Sequence, residues 1–363
     1  MTLLLMTPGP TRLPERVLAA GGSPMIHHRT PAFSRALVSV IERLRPLYGT
    51  ASADILPIHT TGRGGLEAAI TNLFSAGDEI ITCCNGSFGE MWAHLAESYG
   101  LTVHRICKDW GRSVKAADVE QALREQPKAR AVTIAQSDTS TGVQNDVASV
   151  LALTNARGVL GMVDCISALG GAPFSFDAWG ADVVVTASQK CLMASPGVAF
   201  VAVSERAWRA YATARLTRNY FDFGAVRKTL ANAQPETPGT TPVHIILQLA
   251  ESLTMIHEEG LPAVYARHAA MATRARDRAA TLGFAPLFPE LDRWSPTLTA
   301  LSTPAGVSPK VIKDRLEQRG ILVAGGLGAY ANEAIRIGHM GDIRVSDVER
   351  TCDAIAAVLA EAR

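Results

Sequence analysis

One lysine, Lys190, sits between two apolar runs: Val183, Val184 and Val185 precede it, and Val198, Ala199 and Phe200 follow just beyond Pro196-Gly197. An amine held between buried strands is costly unless it is paired, neutral or put to chemical use. Desolvation strips a lysine of part of its proton affinity and leaves a nucleophile able to form a Schiff base with an aldehyde. Four other stretches bear on what that aldehyde would be. The run "VLGMVD" ends on Asp164, a carboxylate placed either to cap the following turn or to pair with a cation. Thr60-Thr61-Gly62-Arg63-Gly64-Gly65 lies where a strand gives way to a helix. Glycines there let the backbone approach an anion and the helix start offers free N–H groups, so the turn suits a phosphate as well as it suits an ordinary connection. Thr61 would add a hydroxyl and Arg63 a charge. "QSDTSTGV" follows another strand with Asp138, Thr139, Ser140 and Thr141, either a polar loop or, at Thr139, a ligand contact. "NGSFGEMW" puts Phe88 at a strand tip, where its ring either joins the core or stacks on a flat ligand. An aldehyde, a phosphate, a flat ring and a pyridine nitrogen occur together in pyridoxal phosphate.

These residues need a scaffold that brings strand ends together. The segments "ADILPIH", "EIITCCN", "LTVHRI", "ARAVTIAQ", "LGMVDCI", "ADVVVTA" and "GVAFVAVS" read as short apolar strands. Amphipathic helices such as "GLEAAITNLF" and "GEMWAHLAESYG" separate most of them. That alternation predicts an α/β domain on a mostly parallel sheet, with active groups at the carboxyl ends of the strands. From "TPVHIILQLAESLTMIHEEGLPAVYARHAAMATRARDRAATLG" the pattern becomes nearly continuous helix and then a separate α+β module. The expected division is an N-terminal arm at 1–14, a large domain at 15–250 and a small C-terminal domain at 251–363.

Composition narrows the function classes. Of 363 residues, 47% are hydrophobic and 19% charged, with a formal net charge of +1, so nothing invites a nucleic acid or an anionic membrane as partner. No stretch has the apolar length of a membrane span, and no signal peptide is expected from "MTLLLMTPGP". The six cysteines form no C-x-x-C pair, which predicts free thiols, no metal site and a cytoplasmic location.

Taken together, "TPGPTRLPERV", "HHRTPAF", "TTGRGGLEAA", "DTSTGV", "VDCISALGG", "ADVVVTASQKCLMASPG" and "IRIGHMG" resemble class V aminotransferases of the alanine–glyoxylate and serine–glyoxylate branch, in order and over essentially the whole chain. The resemblance implies a fold type I, pyridoxal 5'-phosphate-dependent enzyme with Lys190 as the Schiff-base lysine and Gln189 beside it near the phosphate. It puts Asp164 on the pyridine nitrogen, Thr61, Gly62 and Arg63 on the phosphate, Phe88 on the ring face and Thr139 on the phenolic oxygen. Arg336 falls on the substrate carboxylate clamp, where a planar fork grips two oxygens as a lysine cannot. Gly9 and His28 belong to the segments that shape the substrate site, and Arg12, Arg29 and His28 are cations that either receive a second acidic group or serve the structure. Family members are homodimers with shared active sites, and "ETPGTTPV" matches the segment that reaches the neighbouring phosphate, with Thr240 as the contact. Two departures stand out: Thr237-Pro238-Gly239 replaces an aromatic or tyrosine found in many relatives, and Arg63 replaces a small or imidazole side chain.

The expected reaction moves an amino group from a small amino acid, alanine or serine, to an oxo acid such as glyoxylate or pyruvate, with ping-pong kinetics. A lyase of the cysteine desulfurase or kynureninase type is the alternative on the same fold, although neither Cys191 nor Cys352 has the setting of a mobile nucleophile. A nucleotide-dependent oxidoreductase is the remote alternative, suggested only by "GGLGAYA".

Overall fold

The structure is a computed structural model that describes residues 3–290 and 292–361. In chain order its strands are β1 (Leu4–Met6), β2 (Asp54–Ile58), β3 (Glu79–Cys84), β4 (Thr102–Cys107), β5 (Ala131–Ala135), β6 (Ser137–Asp138), β7 (Val143–Gln144), β8 (Leu160–Asp164), β9 (Val183–Ala187), β10 (Ala199–Val203), β11 (Ala285–Pro286), β12 (Leu298–Ser302), β13 (Ile321–Gly325) and β14 (Ala334–Gly338). Seven of them form one sheet in the order β2-β10-β9-β8-β5-β3-β4, and β10 alone runs against its neighbours.

Every residue of β5, β8, β9 and β10 is buried, which explains why these strands read as unbroken apolar runs. Alternate side chains serve opposite faces. Val184, Val163 and Phe200 pack with Leu37, Leu44, Leu249 and Leu253 from helices Pro31–Tyr48 and Val243–Glu259. Val183, Val185 and Met162 pack with Leu66, Ile70 and Leu73 from helix Gly62–Leu73. Burying a side chain of this size contributes about 1.5–3 kcal/mol. Two helical layers thus clamp the sheet and hold its strand ends still.

The second sheet has the order β1-β13-β14-β12-β11. The N-terminal residues therefore do not run as a bare arm: Leu4, Leu5 and Met6 pair in parallel with Ile321, Leu322 and Val323. The long helical stretch breaks at Gly260, whose φ of +84° suits glycine, and Pro262 opens the next helix, Leu261–Thr281. Residue 250, where the pattern change was placed, lies within helix Val243–Glu259. Along these two helices, apolar residues up to Val264 pack into the large core, and Met271, Ala275 and Ala279 into the small one.

Candidate active site

Parallel pairing puts the carboxyl ends of β9, β8, β5 and β3 on one edge of the large sheet, side by side. Asp164 is the last residue of β8, Lys190 follows β9 by three residues, Asp138 and Thr139 follow β5, and Phe88 lies in the first turn of helix Ser87–Ser98 after β3. At the end of β2 the chain turns through Thr60-Thr61 into helix Gly62–Leu73. Gly62 permits this helix start to close on the Asp164 loop: a Cβ there would stand 2.5 Å from Ile166 Cδ1.

Asp164 is 5% exposed and accepts one bond from Ile166 N at 2.8 Å. Burial pushes its carboxyl up to about 7, Asp138 adds to the rise, and Lys190 opposes it. The Lys190 ammonium donates to the Pro8 carbonyl, while burial brings its pKa down to about 8 against the pull of Asp164. Arg336 adds a smaller push in the same downward direction. The N-terminal segment holds this lysine in place. Thr11 N donates to Gln189 O and Thr11 Oγ1 to Lys190 O, both at 3.0 Å. Gly9, with φ +110°, lies flat against the lysine stem, and a Cβ on it would stand 2.6 Å from Lys190 Cδ.

Arg336, in the middle of β14, is 8% exposed. Its Nε donates to Gly325 O and its Nη1 to Thr139 O, each at 2.7 Å. Among the described residues no carboxylate pairs with this buried guanidinium, and burial holds it below its ordinary proton affinity. Such a group is costly unless an anion completes it. Thr139 therefore contributes a backbone acceptor to the arginine.

Asp138 is a hub that sequence reasoning had passed over as part of a polar loop. Fully buried, it accepts from Ser140 N at 2.9 Å and Phe88 N at 3.0 Å, tying the Phe88 turn to the Thr139 loop. Ser87 N donates to Ser140 Oγ at 2.9 Å across the same seam. Phe88 itself is half-buried. Thr61 and Arg63 are exposed at the helix start, and Arg63 has no hydrogen bond or ion pair among the described residues. Gln189 Oε1 is buried without a partner, as is His59 Nε2 just before the Thr60-Thr61 turn.

Other candidate residues lie apart from this group. His28 and Thr240 share one groove with the exposed Met25, and no hydrogen bond joins either to Lys190, Asp164 or Arg336 among the described residues. Arg12 is engaged by Asp342 at 3.3 Å, and Arg29 by Glu236 and the carbonyls of Thr237 and Pro238. Both therefore make structural contacts. The Thr237-Pro238-Gly239 departure is thus part of an anchored loop. Cys191 and Cys352 are buried, their thiols pushed up to about 12 and about 11, so neither has the setting of a nucleophile. The segment "GGLGAYA" is a strand-to-strand connection from β13 to β14 with only a 3-10 turn, so the dinucleotide-turn reading fails.

Comparison with known proteins identifies the family. The family model "Aminotransferase class-V" matches residues 4–350. The chain belongs to that family and is an aminotransferase. It is 38% identical to the soluble hydrogenase small subunit of a Synechococcus, over 99% of this chain and 93% of that protein. It is 36% identical to the L-aspartate–glyoxylate aminotransferase of Paracoccus denitrificans, over 93% of this chain and 86% of the relative. Among solved structures, alanine–glyoxylate aminotransferase from Nostoc superposes with a TM-score of 0.93 at 30% identity, covering 99% of this chain and 96% of that one.

Proposed function

We propose that the chain is a pyridoxal phosphate-dependent transaminase that moves the amino group of a small amino acid, alanine or serine, to glyoxylate or pyruvate. The observation that carries this reading is the convergence of Lys190 and the buried Asp164 carboxyl, at strand ends of the large sheet, with the Arg336 guanidinium, which β14 of the small sheet brings against the Thr139 loop.

The residues present fit the cofactor. Gln189 Oε1 is a buried polar atom without a partner, and Asp164 is a buried carboxyl whose raised pKa marks a place for a cation. Thr61, Gly62 and Arg63 would hold the phosphate at a helix start, with Gln189 beside it, Phe88 on the ring face, Thr139 at the phenolic oxygen and Asp164 at the ring nitrogen. When bound, pyridoxal phosphate supplies an aldehyde for the exchange of amines and an electron-withdrawing ring.

The chain's own groups supply the rest. Arg336 offers the outer edge of its fork to the substrate carboxylate, which both the amino acid and the oxo acid carry. Lys190 Nζ, held near Pro8 and Gly9, is the base for the proton on substrate Cα and the acid for its return. Asp164, when ionised, would stabilise a cationic nitrogen placed beside it. Two half-reactions in one site require ping-pong kinetics. With Arg12 and Arg29 engaged, a small neutral donor is preferred.

A homodimer with shared sites is part of the proposal. Met25 is 68% and Tyr220 71% exposed, and they flank the two sides of Thr240, an apolar surface that a second copy would cover, bringing the partner's Thr240 to the phosphate. Six free cysteines support a reducing compartment, the cytoplasm, and no helix among the described residues is long and apolar enough to cross a membrane.

The test is a panel of L-alanine, L-serine and L-aspartate, each with glyoxylate or pyruvate, scored by the amino acid formed from the acceptor. Turnover with alanine or serine well above aspartate supports the reading. No amino transfer with any donor overturns it.

A further inference from the structure

Arg336 is aimed by two backbone carbonyls, and these belong to different parts of the molecule. Thr139 O comes from the large sheet's loop, and Gly325 O from the last residue of β13 in the small sheet, where the 326–333 connection begins. The direction of the fork therefore depends on how the end of β13, paired with Arg336's own strand, sits against the Thr139 loop. Gly326 N closes the base of the connection by donating to Ala334 O at 2.9 Å. Its far end is held by aromatic rings. Tyr330 stands 5.6 Å from Trp110, which follows β4 in the large domain, and 5.0 Å edge-on from Phe288 of the small domain. Gly328 abuts the rim of the same indole. Trp110, Phe288 and Tyr330 form a small apolar cluster with Leu287, Ala300 and Ala334, and Ala300 is the register partner of Arg336 itself. The Trp110 segment is in turn tied to the small domain, since Ser113 N and Oγ donate to Asp292 at 3.2 and 3.0 Å.

We propose that Trp110 is a positioning residue for substrate carboxylates: its indole seats the 326–333 connection, which fixes the end of β13 where Gly325 O aims Arg336. Aromatic pairs of this kind hold a specific geometry beyond simple burial. A clamp that binds by a planar fork loses its grip when it is tilted, because both parallel bonds depend on one orientation. The inference rests on the reading of Arg336 as the carboxylate clamp.

Four variants of the cofactor-loaded enzyme test it: Trp110→Ala, Trp110→Phe, Arg336→Ala and the Trp110→Ala/Arg336→Ala pair. The readouts are KM for the amino donor and for the oxo acid, kcat, the inhibition constant of propionate as an unreactive carboxylate, and the visible absorption of the bound cofactor. For Trp110→Ala both KM values and the propionate constant are expected to rise together, roughly tenfold or more. Meanwhile kcat stays within about twofold and the spectrum is unchanged. Trp110→Phe restores most of the loss, and Trp110→Ala adds nothing once Arg336 is alanine. A fall in kcat with unchanged KM values, or a full Trp110→Ala effect in the Arg336→Ala background, overturns the proposal. If Arg336→Ala itself leaves propionate inhibition unchanged, the clamp reading fails first, and the proposal falls with it. Should Trp110→Ala not fold, Trp110→Leu carries the same comparison.

Discussion

Asp164 and Lys190, at the ends of the neighbouring strands β8 and β9, each moderate what burial does to the other. Burial raises the carboxyl to about 7 and the lysine lowers it, while burial depresses the amine to about 8 and the carboxylate raises it. Both groups therefore change protonation close to neutral pH, as acid–base chemistry there requires.

The Lys190 amine should titrate near pH 8 in the cofactor-free protein. At pH 7.5 about a quarter of it is neutral, against about 0.1% for an ordinary lysine. Labelling with an amine-selective reagent across pH 6–11 checks this, and a midpoint near 10.5 would contradict it. Lys190→Ala should lower kcat by about 10²–10⁴-fold, because the group that moves the Cα proton is gone.

Asp164→Asn should stabilise the cofactor-free protein at neutral pH while abolishing function. The folded carboxyl has a raised pKa, so between about pH 4 and 7 the folded state binds more protons than the unfolded one, and stability falls as pH rises through that window. Asparagine removes that loss, a gain on the order of a few kcal/mol above pH 7. Lys190 acts in a separate window: its depressed pKa costs stability below about 8, and the cost fades toward 10.5. Urea denaturation midpoints of both proteins at pH 4, 7 and 8 read the difference. A stability difference between variant and wild type that does not grow between pH 4 and 7 would refute the assignment.

Arg336→Lys should raise KM for donor and acceptor alike, by about 10–100-fold, since an ammonium cannot replace a fork held by Thr139 O and Gly325 O. Steady-state kinetics with both substrates varied measure it. A change confined to one substrate would show that the two carboxylates use different partners.

Gly9→Ala should destabilise the chain by about 1–3 kcal/mol, because φ +110° is a backbone state that alanine rarely adopts. The new methyl would also displace the Lys190 stem, so activity should fall further than stability alone explains. The unfolding midpoint and kcat of the soluble variant check both parts.

Much of the large domain was legible because its buried strands carry unbroken apolar runs ending in polar residues, as at Asp164 and before Lys190. Arg336 had no local signal and was found only through the resemblance of "IRIGHMG", since an arginine within a strand has the same pattern whether it faces water or a site. Pro8 could not be seen at all, because it acts through a backbone carbonyl. Asp138 sits in a run of hydroxyls that reads as a solvated loop, and only folding turns the donors of Phe88 and Ser140 onto it. The strand Leu4–Met6 is too short for a periodicity to register, and its partner β13 lies more than 300 residues away. By contrast, the break at Gly260 was available in "EEGLPAV", where a glycine and, two residues on, a proline close one helix and open another.

The central claim is that Lys190 and a bound aldehyde cofactor carry amino groups between substrates, and visible absorption tests it most directly. The protein loaded with pyridoxal phosphate should show a band from the cofactor joined to Lys190. That band should vanish on adding alanine or serine and return on adding glyoxylate. A protein that shows no band with pyridoxal phosphate present, or a band that no amino donor alters, would contradict the account.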